Sequence, residues 1–485
     1  MPTALETMNK YLALNPSIRL HVTADNGYLA PVMAAGAKSS DSGGGKPFLV
    51  NHTAARLLML ADGTQRVSQI VDRCAAELGR PKEGFLDKLT QFLDTAEKCG
   101  QVLLTDEPNP IAVTVTGSLR CWYPLHAMVE LTTACNLRCV HCYRSVPDNH
   151  APVQPETFAT EDCLGVLEQL CRNGCCTIEF SGGEPLLHAD LCRILEFALD
   201  RFEVVAVITN GTRITEEFCQ WAKRWSDRLH FSVSLDASSP EMHDRMRGLV
   251  GAFQRTTNGI RLLVANGLHV RAGMTISQGS VEDFENTILL AKELGCTRFA
   301  FGPVFPFGRG ATFSRRPLSQ EEANRIAQYI HDVSRKYADF VGLVDAGSMD
   351  MLDLIGNCGL AHRSITIAPN GDVRPCPTMP TIGPVLGNIC RDEYEDIFSN
   401  PIVGIIRRLR APEPATCGDC ARLGFCRGCV LRGLYSLVNH KPQCAWALAS
   451  GVEKWLDRSA FADPYSGSEE SPGWVLDISG KKTQT

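Results

Sequence analysis

The sequence predicts an α/β protein built on a parallel sheet, with an α+β unit before it and a cysteine-rich extension after it. Three observations predict this. From about residue 125 to 315, apolar strand patterns alternate with amphipathic helical patterns, the order that a parallel sheet with outer helices requires. Before this region, short strand patterns precede a run of helical ones. After it, residues 345–450 are rich in glycine and cysteine and show little periodicity.

The first unit runs from residue 1 to about 105. Ile18-Arg-Leu-His-Val22, Gly27-Tyr-Leu-Ala-Pro-Val-Met33 and Pro47-Phe-Leu-Val50 read as short strands, and the glycine- and serine-rich run 35–45 reads as a flexible loop. Three helices follow. Thr53–Ala61 stops at Asp62-Gly63. Val67–Leu78 places Val67, Ile70, Val71, Ala75 and Leu78 on one face. Phe85–Cys99 does the same with Phe85, Leu86, Leu89, Phe92, Leu93 and Ala96.

The central region, 120–340, carries strand patterns at Met128–Leu131, Thr177–Phe180, Val204–Ile208, His230–Leu235, Val270–Ile276 and Arg298–Phe301. Helical patterns separate them at Asp162–Arg172, Ala189–Asp200, Glu216–Trp225, Phe253–Asn266 and Val281–Leu294. In βα architectures the active site lies at the C-terminal ends of the strands, and the motifs described below fall there. The extension, 345–450, is long for a segment with so little regular pattern, so it is expected to be held by something other than a large core, such as metal clusters. The tail, 462–485, is polar and expected to be mobile.

Composition narrows function. An apolar fraction of 44% is ordinary for globular protein, and a net charge of −6 gives no reason to expect nucleic acid or an anionic membrane as partner. Met1-Pro-Thr-Ala-Leu-Glu6 lacks the basic and apolar stretches of a signal peptide, and no long apolar window suggests a membrane span. A cytoplasmic location is expected. In a reducing cytosol, 21 cysteines are metal ligands more often than disulfides. Eleven of them, including Cys171, Cys175, Cys176 and Cys219, fit no ligand pattern and read as small buried hydrophobes.

Cys135, Cys139 and Cys142 lie in Leu131-Thr-Thr-Ala-Cys-Asn-Leu-Arg-Cys-Val-His-Cys-Tyr143. Three thiolates at this spacing can wrap one loop around a cubane cluster and leave its fourth iron open. A standard cluster has four cysteine ligands, so a missing one implies that a small molecule binds there. A zinc knuckle or chance clustering is the plainer alternative. Ser181-Gly-Gly-Glu-Pro185 follows the second strand, Thr209-Asn210-Gly211 the third, and Ser234 and Asp236 close the fourth. A turn or helix-cap role is the plain reading of Asp236.

This three-cysteine loop, with Asn136-Leu137-Arg138, Tyr143 and the Gly-Gly-Glu-Pro turn, resembles the radical S-adenosylmethionine (radical SAM) enzymes. The resemblance implies a six-stranded partial (β/α)6 barrel, open on one side, and a [4Fe–4S] cluster on which SAM is cleaved to a 5′-deoxyadenosyl radical. It also implies SAM contacts at Gly182, Gly183, Glu184, Pro185 and Asn210, ribose contacts at Ser234 and Asp236, a carboxylate contact near Arg247, and adenine against Gly302-Pro303. His141 stands where the family often has an aromatic residue.

The extension carries Cys358, Cys376, Cys417, Cys420, Cys426, Cys429 and Cys444, a density that packing does not explain. A pair of zinc knuckles is one reading. The run Gly371-x4-Cys376, then Cys417-x2-Cys420-x5-Cys426, resembles the SPASM extension of radical SAM peptide and protein maturases. That resemblance implies two auxiliary iron–sulfur clusters, one on Cys358, Cys376 and Cys429, the other on Cys417, Cys420, Cys426 and Cys444. Two departures stand out: only two residues separate Cys426 from Cys429, where the family has three, and no cysteine precedes Cys358 to complete the first cluster.

The strand-then-helix order of the first unit, with Leu49-Val50-Asn51-His52 and Leu60-Ala-Asp-Gly63, resembles the small peptide-binding protein of pyrroloquinoline quinone biosynthesis. A winged-helix-like fold with another task is the alternative. Together the three resemblances imply a maturase that oxidatively modifies a ribosomally made precursor peptide, forming a thioether or carbon-based crosslink. Its implied partners are a peptide with a leader, SAM, and an electron donor such as flavodoxin or ferredoxin. The rival expectations are a protein- or tetrapyrrole-modifying radical SAM enzyme and an iron–sulfur scaffold or electron carrier.

Overall fold

The structure is a computed structural model of the 485-residue chain. It describes residues 4–31, 48–79, 81, 86–144, 155–305, 308–310, 320–341, 357–378, 384–420, 423–440 and 444–452. The loop at 35–45, the ends of three expected first-unit elements at Val32 and Met33, Pro47 and Phe85, and the tail at 462–485 lie outside the described residues. The chain divides into two compact units.

The first unit comprises Met1–Leu125 with Glu168–Cys176 and Asp200–Glu203. Its strands are β1 (Tyr11–Leu14), β2 (Ile18–Val22), β3 (Asn26–Pro31), β4 (Phe48–Asn51), β5 (Asp62–Arg66), β6 (Val102–Thr105) and β7 (Thr114–Gly117). They form two sheets, ordered β5-β1-β6 and β4-β3-β2-β7. The three expected helices are present at His52–Leu58, Val67–Leu78 and Leu86–Lys98. Asn51 caps the first of them by accepting from the Ala54 amide at 2.9 Å. Gly79, at φ 61°, ends the second. Leu12, Leu20, Ile70, Val71 and Leu93 sit in one core at 0% exposure. Leu89 belongs to that core too, rather than to an open groove. Phe92 is half-buried, its ring centroid 6.4 Å from that of Phe48.

The second unit carries β8 (His126–Thr132), β9 (Thr177–Gly182), β10 (Val204–Thr209), β11 (Leu229–Ser234), β12 (His269–Ile276) and β13 (Arg298–Pro303). These are the six expected strands, adjacent in order and parallel throughout. Alternate residues define two faces. Ile178, Phe180, Val205, Val207, Phe231, Val233, Val270 and Ala272 are fully buried on the helix-covered face. Each of these valine, isoleucine and phenylalanine side chains contributes about 1.5–3 kcal/mol of burial. On the other face, Glu179, Ser232, Ser234, Arg271 and Gly273 keep partial exposure. The sheet does not close on itself, because the free side of β8 is taken by a further strand.

That strand is β14 (Ser364–Ile367), which runs parallel to β8 with Ser364 opposite His126 and Ile367 opposite Val129. β15 (Asp372–Arg374) and β16 (Gly387–Asn388) continue antiparallel, giving nine strands in one sheet. The extension therefore has an apolar core and regular strands of its own besides its cysteines, more regular structure than its sequence suggests. Ile365, Ile367, Val373, Phe398, Val403 and Ile406 are fully buried. Helix Pro401–Arg408 supplies Val403 and Ile406, and helices Val430–His440 and Ala445–Ser450 bury Leu434, Leu437 and Trp446. The reading of the unassigned cysteines also needs correction, because Cys99, Cys192 and Cys390 are exposed. Among the described residues no helix is long and apolar enough to cross a membrane.

Candidate active site

The three-cysteine loop begins where β8 ends. Pairing with β9 slips between Glu130 and Thr132, so a bulge turns the chain just before the loop. Cys135 is exposed, Cys139 and Cys142 half-buried. The loop is then fixed from four sides, all at the C-terminal ends of strands.

The first hold is the Gly-Gly-Glu-Pro turn after β9. A Cβ on Gly182 would collide with the carbonyl oxygen of Thr132, and one on Gly183 with that of Ala134. Both glycines thus admit the backbone of the cysteine loop itself. Amides of Gly183 and Glu184 donate to Thr132 and Ala134 at 2.6 and 2.8 Å. Glu184 is fully buried. Its Oε1 accepts from the Thr209 hydroxyl at 2.7 Å and the Leu186 amide at 3.1 Å, and its Oε2 accepts from the Asn210 amide at 2.8 Å. Burial pushes its carboxyl up, and these three donors pull the other way. Pro185 opens a short 3-10 turn that Glu184 caps.

The second hold is Asn210 after β10. Its Nδ2 donates to Oδ1 of Asn136 at 2.9 Å, and Nδ2 of Asn136 donates to the Thr212 hydroxyl at 2.8 Å. The third is helix Pro240–Arg247. Its last carbonyls, of Met246 and Arg247, accept from Val140 and Arg138 at 2.9 and 3.2 Å, and a Cβ on Gly248 would collide with the Arg138 carbonyl. Arg247 Nη1 donates to the Cys139 sulfur at 3.8 Å and Nη2 reaches Oδ2 of Asp236 at 2.8 Å. Asp236 is neither a turn nor a cap residue: Oδ1 accepts from the Thr275 amide of β12 at 2.8 Å. Burial opposes its charge, but Arg247 and then His141 outweigh that and hold the carboxyl below its usual range. Nε2 of His141 lies 3.4 Å from Oδ2 of Asp236. Burial holds His141 at about 4, with Asp236 pulling it up and Arg247 and Arg309 pushing it down.

The fourth hold is Arg309, after β13, which the sequence reading missed. Its Nε donates to the Cys139 carbonyl at 2.8 Å and its amide to the Cys142 carbonyl at 3.0 Å. Ser234 is half-buried on β11 opposite Gly273, and a Cβ on Gly302 would meet open space.

Thiol acidity in the loop reflects its crowding. Although Cys135 is exposed as a residue, desolvation around its sulfur first, then Cys139, Glu184 and Cys142, push it to about 11 against a donor at Leu137. Burial raises Cys139 too, against Arg247. Thiols crowded in this way favour a bound cation, which holds them as thiolates. The extension repeats the pattern in two groups. Cys358 is exposed as a residue, but desolvation around its sulfur, then Cys429 and Cys376, push it to about 12. Burial pushes Cys376 to about 11, Thr378 opposing and Cys429 adding. Cys417 is raised by burial and by Cys444 and Cys420. Cys426 is buried and donates to the Ser436 hydroxyl at 3.0 Å. Among the described residues no three His, Cys, Asp or Glu side chains close on a single-ion site.

A further charged group went unread. Glu130 on β8 is fully buried, with Nη2 of Arg144 at 2.7 Å and Nη1 of Arg374 at 4.0 Å. Burial, then Arg374, lowers Arg144 to about 10. Arg144 follows the three-cysteine loop and Arg374 precedes Cys376, so Glu130 joins two cysteine groups. On β9, Oε2 of Glu179 lies 3.3 Å from Nε2 of His126, whose Nδ1 is 2.7 Å from the Ser364 hydroxyl of β14. The available signal was a lone carboxylate in each of two apolar strands, Met128-Val-Glu-Leu131 and Thr177-Ile-Glu-Phe180.

Comparison with known proteins matches three family models: the radical SAM superfamily over residues 129–291, the SPASM iron–sulfur cluster-binding domain over 358–421, and coenzyme PQQ synthesis protein D over 40–102. The antilisterial bacteriocin subtilosin biosynthesis protein AlbA of Bacillus subtilis is 31% identical over 446 residues, 91% of this chain and 97% of AlbA. An AdoMet-dependent heme synthase of Methanosarcina barkeri is 27% identical over 361 residues, 69% of this chain and 98% of the synthase. Among solved structures, Streptococcus suis SuiB bound to S-adenosylmethionine shares the fold with a TM-score of 0.58 at 16% identity, covering 87% of this chain and 96% of SuiB.

Proposed function

The chain belongs to the radical SAM/SPASM peptide maturases, and from that premise we propose that it forms a thioether or carbon-based crosslink in a ribosomally made precursor peptide. One observation carries this reading: a three-thiol loop is pinned at the ends of strands whose sheet is continued by an extension that carries two further thiol groups. In such enzymes a [4Fe–4S] cluster supplies the electron that cleaves SAM to methionine and a 5′-deoxyadenosyl radical. Auxiliary clusters in the extension are suited to accept the second electron that crosslinking releases.

The chain's own residues supply position. Cys135, Cys139 and Cys142 hold the first cluster. Glu184, buried and oriented by three donors, accepts from the SAM ammonium. Gly182, Gly183, Pro185 and Asn210 fix the turn that presents it, while Arg247 faces the SAM carboxylate and Ser234 and Asp236 face the ribose. Cys358, Cys376 and Cys429 hold one auxiliary cluster, and Cys417, Cys420, Cys426 and Cys444 the other. Proximity and orientation then decide which C–H bond is attacked.

The first unit, residues 1–105, receives the leader. β4 lies at the edge of its sheet, so an extended peptide can add a strand there. The barrel at 120–340 and the extension at 345–450 carry the chemistry. A flavodoxin or ferredoxin supplies electrons in the cytoplasm. The test is to incubate the reduced protein with SAM and any short peptide encoded beside its gene. Loss of two hydrogens from the peptide per crosslink supports the reading, and an unchanged peptide mass argues against it. Retention of full turnover after deletion of residues 1–105 favours a tetrapyrrole- or protein-modifying enzyme.

A further inference from the structure

We propose that Arg374 forms a carboxylate-binding subsite on the sheet face away from the helices, and that it holds an acidic group of the peptide being modified. The proposal rests on the peptide-maturase reading above and adds to it the chemistry of the peptide.

Strand register puts Arg374 on that face. It lies opposite Thr366 of β14, Thr366 lies opposite Met128 of β8, and Met128 lies opposite Glu179 of β9. Residues paired across neighbouring strands share one face of a sheet. Glu179 is on the face that the helices leave uncovered, so the row carries Arg374 onto the same face. Its neighbours then set its place among the thiols. Cys376 follows it by two residues. Nη1 of Arg374 is 4.0 Å from Oε2 of Glu130, and Glu130 is bonded to Arg144, two residues beyond Cys142.

Arg374 keeps hydrogen-bonding capacity that the protein does not use. The Glu130 oxygen nearest to it already accepts from Nη2 of Arg144 at 2.7 Å. Asp372 and Glu156 act on its charge from farther off. Asp372 accepts from Asn370 and Asn388 instead, each at 2.9 Å, and Glu156 is exposed. Among the described residues, no guanidinium N–H of Arg374 donates a hydrogen bond. The Thr366 hydroxyl across from it is buried and has no partner either. Arg374 retains 17% side-chain exposure, so a ligand can reach it. A planar fork of free N–H donors matches a carboxylate, which accepts two parallel bonds and brings the opposite charge. A peptide carries such a group on an aspartate or glutamate side chain or at its C-terminus.

The test uses the full-length reconstituted protein, SAM and a short peptide encoded beside its gene, under anaerobic conditions. The quantity read is kcat/KM for crosslinking, for the wild type and for Arg374→Met. Each protein is given the natural peptide, peptides with single acidic residues replaced by their amides, and a C-terminally amidated peptide. One altered peptide should lose about tenfold with the wild type and almost nothing with Arg374→Met, because the partner of the missing carboxylate is already gone. Which peptide it is tells a side-chain carboxylate from the C-terminus. Arg374→Lys keeps the charge but not the fork, so the same peptide should show an intermediate loss. If no altered peptide loses activity with the wild type, or if the loss is equal in both proteins, the proposal is overturned. If Arg374→Met fails to load its clusters, Arg374→Lys decides: a smaller loss than in the wild type supports the proposal, and an equal loss overturns it. A wild-type protein that leaves every such peptide unmodified overturns the maturase reading, and the subsite with it.

Discussion

Arg247 and Asp236 are bound to each other, Nη2 to Oδ2 at 2.8 Å, with 7% and 0% of their side chains exposed. Two residues expected to touch different parts of SAM are thus one ion pair, anchored by the Thr275 amide on one side and the Cys139 sulfur on the other. A pair buried to this degree is costly to break from one end, because the remaining charge is left without compensation.

Asp236→Asn tests this directly. It keeps the shape and the acceptor for Thr275 but leaves Arg247 uncompensated. The expected result is a loss of roughly 3 kcal/mol of stability, seen in anaerobic thermal unfolding, together with weaker SAM binding by equilibrium dialysis. Unchanged melting and unchanged SAM affinity would show that the pair matters to neither.

His21 gives a pH dependence away from the clusters. It is fully buried, its Nδ1 3.1 Å from the Thr116 hydroxyl and its Nε2 3.3 Å from the Tyr123 carbonyl. Burial, against the Tyr123 carbonyl and with help from Arg19, holds it at about 4 where an unfolded histidine titrates near 6.5. Between those values the unfolded chain takes up a proton that the folded chain does not. Its contribution is therefore complete above pH 6.5 and is lost as pH falls toward 4. Lowering the pH from 7.5 to 5.5 should cost the wild type about 1 kcal/mol through this residue. In His21→Gln the same pH change should lower the melting temperature less. Equal losses in both proteins would remove His21 from the account.

Much of this architecture is legible in local patterns. Val67–Leu78 and Ile18–Val22 have the same limits in the sequence reading and in the structure, because an apolar stripe and turn residues mark both. The six barrel strands are equally plain, since each is a short apolar run between amphipathic helices. β14 is not, because its partner β8 lies more than two hundred residues earlier and pairing at that distance leaves no local trace. Helices Pro401–Arg408 and Val430–His440 are masked by the cysteines and glycines around them. In the site, cysteine spacing and the Gly-Gly-Glu-Pro turn announce themselves. Glu130, Arg144, Arg374 and Arg309 do not, because each acts through contacts that only the folded chain creates.

Leader docking on β4 predicts a separation of functions. Leu49 is half-buried on this edge strand, opposite Tyr28 of β3. Leu49→Pro removes an amide donor from the edge and bends it. Peptide affinity and peptide turnover should fall while SAM cleavage without peptide stays near the wild-type rate. Circular dichroism establishes that the variant is folded. A folded Leu49→Pro variant that modifies its peptide at the normal rate would show that the leader does not dock there.

The central claim is that Cys135, Cys139 and Cys142 hold the cluster that cleaves SAM. Its most direct measurement is 5′-deoxyadenosine formation by dithionite-reduced protein, compared with a variant carrying alanine at all three positions. The wild type should produce 5′-deoxyadenosine and the variant none, while the variant keeps the iron and sulfide of its auxiliary clusters. Normal 5′-deoxyadenosine formation by the triple variant would contradict the claim.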